Sequence, residues 1–519
     1  MCWASDGQRI PKNRAVSPQD DAHPTMPRTD GQARWLVLGL IGVAFALRLY
    51  HLDFQSLWRD EVDAILFASR DWPTMLAMFS HAGENGPLYF VLLRPWLTLL
   101  GDTEFAVRFS SVMCGVLTVP LTYALGRRLL SACRVGGTAE QPTEPTVPLF
   151  AALLVACSPY LVWYSQEAKM YALLVCLTAA SVWLLWSALC DNRPIHWAGY
   201  VVLSSLSFYT HILAVALLPA HVLLFAAGGK VFWRRWRPAL IALGCLTLPY
   251  LPLARWEIPT LLSSFETGHP FYPLPDMLHI LFRVLSFGFR APGLIETGVV
   301  VFVLLAGSFL YRSAAGPPPT LLVRRPQLAL WVYFLTPVIV VYFISLGMPI
   351  FADRYLIAIA VPFYLLLACG VEVLRRRSYI VWVLCLMALL WINGQGLWMQ
   401  SQTTLKADFR SAAAYFAEWA SPRDLVIVQM PYVHRNFEYY YRQPYRRADG
   451  LYTNGGMTEA QAAGQMAELT AGQQAIWLLK SEAEMWDRRN LVQQWLEAHC
   501  QRTAEAHFER VDLYRYACF

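Results

Sequence analysis

Residues 195–229 read IHWAGYVVLSSLSFYTHILAVALLPAHVLLFAAGG, without one Asp, Glu, Lys or Arg. A spanning helix needs about 20 mostly apolar residues, so this stretch is too long for one. Its polar point, Tyr209-Thr210-His211, lies near the middle and divides it into spans 195–209 and 212–228. The pattern repeats outward in both directions. Further apolar runs lie at 35–52, 106–126, 148–165, 170–190, 239–254, 294–311, 328–347, 355–374 and 379–397. The expected fold is an α-helical polytopic membrane protein with about eleven transmembrane helices.

Composition agrees. Of 519 residues, 56% are hydrophobic and 15% charged, where a soluble domain carries about 25% charged residues. Mean hydropathy is +0.37. The 20 Trp and 25 Tyr suit the two aromatic belts of a membrane protein. The net charge of +6 gives no reason to expect nucleic acid, because the excess sits in short loops between apolar runs. Residues 1–34 are polar and lack the apolar core of a signal peptide, so a disordered cytosolic tail is expected there.

Lysine and arginine in short loops set orientation. With a cytosolic N-terminus, the clusters Arg127/Arg128/Arg134, Lys230/Arg234/Arg235/Arg237, Arg312/Arg324/Arg325 and Arg375/Arg376/Arg377 all fall on the cytosolic side. The run 87–101, interrupted by Arg94-Pro95, reads as a helix along the interface; counting it as a span would invert the later clusters. The external parts are then the loop 53–105, the gap at Glu167, the turn at His211, the loop 255–293, the gap 348–354 and residues 398–519. That last region has helical periodicity at 407–420 and strand-like runs at 425–428, 475–479 and 511–516. Helix alternating with strand implies a small extracytoplasmic α/β domain after the transmembrane domain 35–397. The eleven cysteines show no CxxC spacing. Cys500 and Cys518 both lie in the external domain, where an oxidising compartment would let them pair.

Acids this close to lipid are costly, and they are rare unless they face a wet cavity or do chemistry. Asp60-Glu61 follow the first span in Ser56-Leu57-Trp58-Arg59-Asp60-Glu61, and Glu167 sits in Trp163-Tyr164-Ser165-Gln166-Glu167-Ala168-Lys169-Met170-Tyr171. Each has a plain structural alternative: a helix cap for the pair, an interfacial Glu/Lys pair for Glu167. Both gaps open on the same side. So does Asp353-Arg354-Tyr355, where a guanidinium offers paired donors to a phosphate. Arg48 and Lys169 add positive charge, and Tyr171 and His211 are candidate substrate contacts. Three acids and several cations on one face fit transfer of a group from a lipid phosphate. A carboxylate would take the proton of an acceptor hydroxyl, and cations, or a metal, would stabilise the departing phosphate.

At these residues the chain resembles the GT-C membrane glycosyltransferases, in the branch of protein O-mannosyltransferases and lipid A aminoarabinose transferases. The resemblance rests on Leu57-Trp58-Arg59-Asp60-Glu61, Glu84-Asn85-Gly86-Pro87-Leu88-Tyr89, Phe105-Ala106-Val107-Arg108-Phe109, Ser158-Pro159-Tyr160 through Tyr171, and Asp353-Arg354-Tyr355-Leu356. It implies a polyprenyl-phosphate sugar donor, an inverting reaction, an extracytoplasmic acceptor (lipid, glycan or protein) and a bacterial inner membrane. It puts the catalytic acid at Asp60 beside Glu61, a second acid at Glu167, and Arg354 near the donor phosphate. Members often carry an acid or His before two prolines; Glu84 is that acid and a candidate substrate contact, while Gly86 departs from the pattern. Asn85 stands where some relatives have Lys. Some relatives bind a divalent metal, for which His81, Glu84 and His269 are the candidate ligands. The competing class is a transporter or lipid flippase, whose internal repeats and mid-membrane charges are not seen here.

Overall fold

The computed structural model describes residues 28–80, 86–130, 145–262, 269–312 and 325–518. The expected tail lies mostly outside them; its last residues already belong to the first helix, Arg28–Leu49. Every expected span falls on a helix or a helix pair. After the first come Glu104–Leu130, Thr146–Cys157 with Pro159–Ser165, Tyr171–Asp191, Pro194–Thr210 and Ile212–Leu217 running into Leu218–Ala227. Then follow Trp236–Leu262, Leu294–Leu305 with Ala306–Leu310, Pro326–Ser345, Asp353–Ile359 with Ala360–Arg377, and Tyr379–Gln402. Among the described residues six helices are long and apolar enough to cross a membrane alone, and one bent pair would make a seventh.

Two of the breaks have local causes. Pro159 cannot donate a backbone hydrogen bond, and there the chain turns by 56°. Ser158 Oγ caps the second half by accepting from the Leu161 amide at 3.2 Å. At His211 the backbone is extended (φ −156°, ψ 125°), and its Nδ1 accepts from the Leu213 amide at 3.2 Å. The run at 87–101 is the helix Pro87–Leu100 of 14 residues, about 21 Å long and short of the roughly 30 Å hydrocarbon layer. The loop 255–293 holds a further amphipathic helix, Leu274–Phe287, which buries Met277, Leu281, Val284 and Leu285.

The helix pair Asp353–Arg377 orients the bundle. Arg354 stands at one end and Arg375–Arg377 at the other, so that arginine cluster lies at the end opposite Arg354. There the buried Glu372 accepts from Arg375 and Arg376 at 2.7 and 2.6 Å.

The C-terminal region is an α/β domain with a five-stranded sheet in the order β2-β1-β3-β5-β4. The strands are β1 (Leu425–Val428), β2 (Arg446–Asp449), β3 (Ala475–Lys480), β4 (Cys500–Phe508) and β5 (Val511–Cys518). β1 pairs parallel with β2 and β3; β5 runs antiparallel to β3 and β4. The three expected strands are the central ones. Each face has its own core, Phe416, Val426 and Trp477 on one side and Ile427, Leu478 and Leu496 on the other. Cys500 and Cys518 sit opposite each other on β4 and β5 and form a disulfide.

This domain grips the segment that carries Asp60. Tyr440 Oη accepts from the Leu57 amide at 2.7 Å and donates to Glu104. Tyr439 Oη donates to the Asp102 carbonyl at 2.6 Å, and Asn436 Nδ2 to that of Leu57 at 3.3 Å. Arg410 donates to the Asp53 carbonyl at 2.6 Å.

Candidate functional site

Asp60 and Glu61 are the second and third residues of the helix Arg59–Ala68. Successive side chains on a helix point about 100° apart, and the two acids enter different surroundings. Glu61 is wholly buried. Its carboxylate receives Arg108 Nε and Nη2 at 2.8 and 2.9 Å, the Ala168 amide at 2.9 Å, Lys406 Nζ at 3.0 Å and the Trp58 amide at 3.4 Å. Burial alone would raise its pKa; the cations Arg108 and Lys406 outweigh it and hold the carboxyl well below its ordinary range. Arg108 is buried too and also ties the carbonyls of Leu52 and Gln55 at 2.9 and 2.8 Å. This cluster is saturated. It fixes the helix start, and the charged-residue geometry leaves Glu61 no oxygen to offer a substrate.

Lys406 links that cluster to the second acid. It follows the last membrane helix, reaches Glu167 Oε1 at 3.2 Å, and lies 5.2 Å from the centre of the Trp163 ring. Gln55 holds its backbone in place: Gln55 Oε1 accepts from the amides of Leu405 and Lys406 at 3.0 and 3.3 Å, and Nε2 donates to the Thr403 carbonyl at 2.8 Å. Glu167 is 2% exposed, and its Oε2 has no hydrogen-bond partner among the described residues. Burial raises its pKa; Lys406 opposes this and the charge of Glu61 adds to it, leaving a net upward shift.

Asp60 lies in the open part. Its side chain is 23% exposed, and among the described residues its one ion pair is with Arg59, at 4.0 Å. Its charge acts on Tyr171 and Arg354. Arg354 lies 5.7 Å from the centre of the Trp58 ring and 5.4 Å from that of Tyr355. Asp353 beside it accepts from Tyr164 Oη at 3.3 Å. The Tyr355 ring is 5.0 Å from His211 and 5.8 Å from His269, and Tyr171 is 6.3 Å from His211. Lys169 is 5.9 Å from the Phe90 ring, and its charge acts on His211. Neither Arg354 nor Lys169 forms an ion pair among the described residues. Four buried polar atoms around this corner have no hydrogen-bond partner there: Arg354 Nε, Glu167 Oε2, His211 Nε2 and Trp58 Nε1. Buried polar groups are nearly always paired, and these four remain available to a polar ligand.

Arg48 does different work from the expected phosphate contact. It is wholly buried, and its nitrogens donate to Ser165 Oγ at 3.2 Å and to the carbonyls of Ala44, Ala156 and Val155 at 3.2, 3.0 and 3.2 Å. The last two carbonyls end the helix Thr146–Cys157, where the break at Pro159 frees them from helical partners. Arg48 thus mends a broken helix and has no nitrogen left for phosphate. Gly86 also has a local reason. It has φ +84°, and a Cβ there would approach the Thr210 carbonyl to 2.8 Å. This close contact ties the loop 53–105 to the His211 turn, and the positive φ excludes a proline at this position.

His81 and Glu84 lie outside the described residues. His269 is in place beside Tyr355, but among the described residues no three His, Cys, Asp or Glu side chains group as a metal site. Two members of the site carried no role in the sequence reading: Arg108, visible only inside a matching stretch, and Lys406. The signal for Lys406 was rarity. The chain has five lysines, and this one follows directly on the last span.

The family described as dolichyl-phosphate-mannose-protein mannosyltransferase matches residues 84–256. Among solved structures, ArnT from Cupriavidus metallidurans in the apo state is similar at a TM-score of 0.56 and 15% identity, over 93% of this chain and 98% of that one. The same protein bound to undecaprenyl phosphate gives 0.57 and 14% with the same coverage. The oligosaccharyltransferase of Archaeoglobus fulgidus, tethered with an acceptor peptide, gives 0.50 and 10%, over 94% of this chain and 74% of that one. No curated protein sequence matches.

Proposed function

We propose, from a fold shared with ArnT of Cupriavidus metallidurans and the oligosaccharyltransferase of Archaeoglobus fulgidus, that the chain is a GT-C glycosyltransferase that transfers a sugar from a polyprenyl phosphate to an extracytoplasmic acceptor at the corner between Asp60 and Arg354. The observation that carries this reading is the nearness of one unsaturated carboxylate to two cations, Arg354 and Lys169, that have no carboxylate partner among the described residues.

The acceptor hydroxyl attacks the anomeric carbon from the face opposite the phosphate. The new C–O bond forms as the carbon–oxygen bond to phosphate breaks, so the configuration inverts. Asp60 takes the acceptor proton; it is the acid of the cluster with both exposure and no strong partner. Arg354 and Lys169 hold the departing phosphate, whose charge grows in the transition state, and a dry corner strengthens that contact. Glu61, Arg108 and Lys406 are positioning residues. They lock the helix start from which Asp60 projects, as a catalytic carboxylate requires. Glu167 and His211 each present one free polar atom to the sugar.

The active face would be the periplasmic side of an inner membrane, with the N-terminus cytosolic. The test is lipid-linked sugar turnover by purified wild type and Asp60→Asn, together with mass spectrometry of envelope lipids, glycans and glycoproteins from a deletion strain carrying either form. A sugar-sized mass restored by wild type alone establishes transfer and names the acceptor. Equal restoration by both would move the chain toward a flippase.

A further inference from the structure

The end of the bundle opposite Asp60 carries a second built feature. The helices Tyr171–Asp191, Pro194–Thr210, Leu218–Ala227 and Trp236–Leu262 border a groove of about 590 Å³. Its place follows from two helices independently. Leu185, on its wall, is 14 residues beyond Tyr171, about 21 Å along the helix. Trp197, on another wall, precedes His211 by 14 residues and about the same distance. The lining is apolar apart from Tyr200 and His221. His221 is 6% exposed. Its Nδ1 is 3.1 Å from Tyr200 Oη, and its Nε2 has no partner among the described residues. With Tyr200 donating to Nδ1, the neutral ring carries its proton on Nε2 and offers one donor within an apolar groove.

The mouth is cationic. Trp233 and Trp236 line it, and Lys230, Arg234, Arg235 and Arg237 sit between and around them. None of the four forms an ion pair among the described residues, and Arg235 Nε is buried without a partner. The arginines at 375–376 at the same end differ: Glu372 answers them. A cluster needed only for orientation could be answered in the same way. Unanswered cations, an interfacial tryptophan pair and a long apolar groove with one deep donor match the parts of a lipid: anionic headgroup, interface and acyl chain with its ester oxygen.

We propose that this groove binds an anionic glycerophospholipid, with its phosphate on Lys230, Arg234 and Arg235 and an acyl chain along Trp197, Phe225 and Leu240. The site is separate from the sugar-transfer corner and does not depend on that reading.

The full chain would be placed in nanodiscs of phosphatidylcholine with a minor share of phosphatidylglycerol, released into mild detergent, and its retained lipids counted by native mass spectrometry. We expect phosphatidylglycerol to be enriched at least about tenfold over its share in the disc, since each basic residue near a membrane surface favours anionic lipid. The triple variant Lys230→Gln, Arg234→Gln, Arg235→Gln should remove that enrichment. Ala226→Trp, which fills the groove at an exposed position and keeps every charge, should also remove it. Retention of the two lipids in proportion to the disc would overturn the proposal. So would enrichment lost in the triple variant and kept in Ala226→Trp, because surface charge alone would then explain it. If the triple variant fails to insert, Ala226→Trp and His221→Phe decide the matter by themselves.

Discussion

Asp60 and Glu61 are neighbours in the chain and belong to two different regions of the site. Glu61 is sealed among Arg108, Lys406 and the Ala168 amide; Asp60 looks onto an open corner with Arg354 and Tyr171. The closed region spends its charges on each other and builds a rigid base. The open region leaves its charges uncommitted and can use them on a substrate. One step along a helix, about 100° of rotation, separates structural from chemical use of the same functional group.

The comparison can be broken most directly at Asp60. Asp60→Asn should lower turnover by about 10²- to 10⁴-fold, the usual worth of a general base, while thermal unfolding in detergent stays close to wild type. Activity near wild type would return the two acids to equal standing. In the closed region, Arg108→Ala should cost about 3–5 kcal/mol of stability by leaving Glu61 buried without its main partner. A thermal midpoint like that of wild type would show that the cluster is not holding the helix. Arg354→Ala should weaken donor binding with little change in the unfolding midpoint. A lost charge-assisted contact is worth about 1.5–3 kcal/mol, and titration with a polyprenyl phosphate reads it.

Lys406→Met sharpens the boundary between the two regions and has the smallest expected effect. Glu167 is already pushed up by burial, and Lys406 is what holds it down. Its removal should carry the Glu167 carboxyl further up. Since the proposed sugar contact uses that carboxyl as an ionised acceptor, an acid limb of the kcat/KM profile separate from that of Asp60 should move to higher pH. An unmoved limb with lower stability would give Lys406 a purely structural role.

Much of the fold was legible because lipid imposes length and apolarity on every span. The division of 195–229 at His211 could be placed from its polar residues, whereas the run 148–165 reads as one span and is bent after Ser158, where Pro159 withholds a backbone donor. The helix Leu274–Phe287 did not stand out although Met277, Leu281, Val284 and Leu285 carry a helical period, because at 14 residues with one polar face it is too short and too mixed to meet the length and apolarity that mark a span. The edge strands β2 and β4 were missed for another reason. β2 reads Arg446-Arg447-Ala448-Asp449, and an edge strand can keep charges that a central strand cannot.

For the site, the sequence by itself determined which residue types stand near the membrane surface, because a charge beside an apolar run is expensive and conspicuous. It singled out Asp60, Glu61, Glu167, Lys169 and Arg354 as such charges. Only the tertiary structure decided which of them are used up. Arg48 turned inward to carbonyls freed by a proline, Glu61 met Arg108, and Lys406 came from far along the chain to stand between Glu61 and Glu167. Partnership between buried charges depends on ångström-scale geometry among residues hundreds of positions apart, and local pattern carries no record of it.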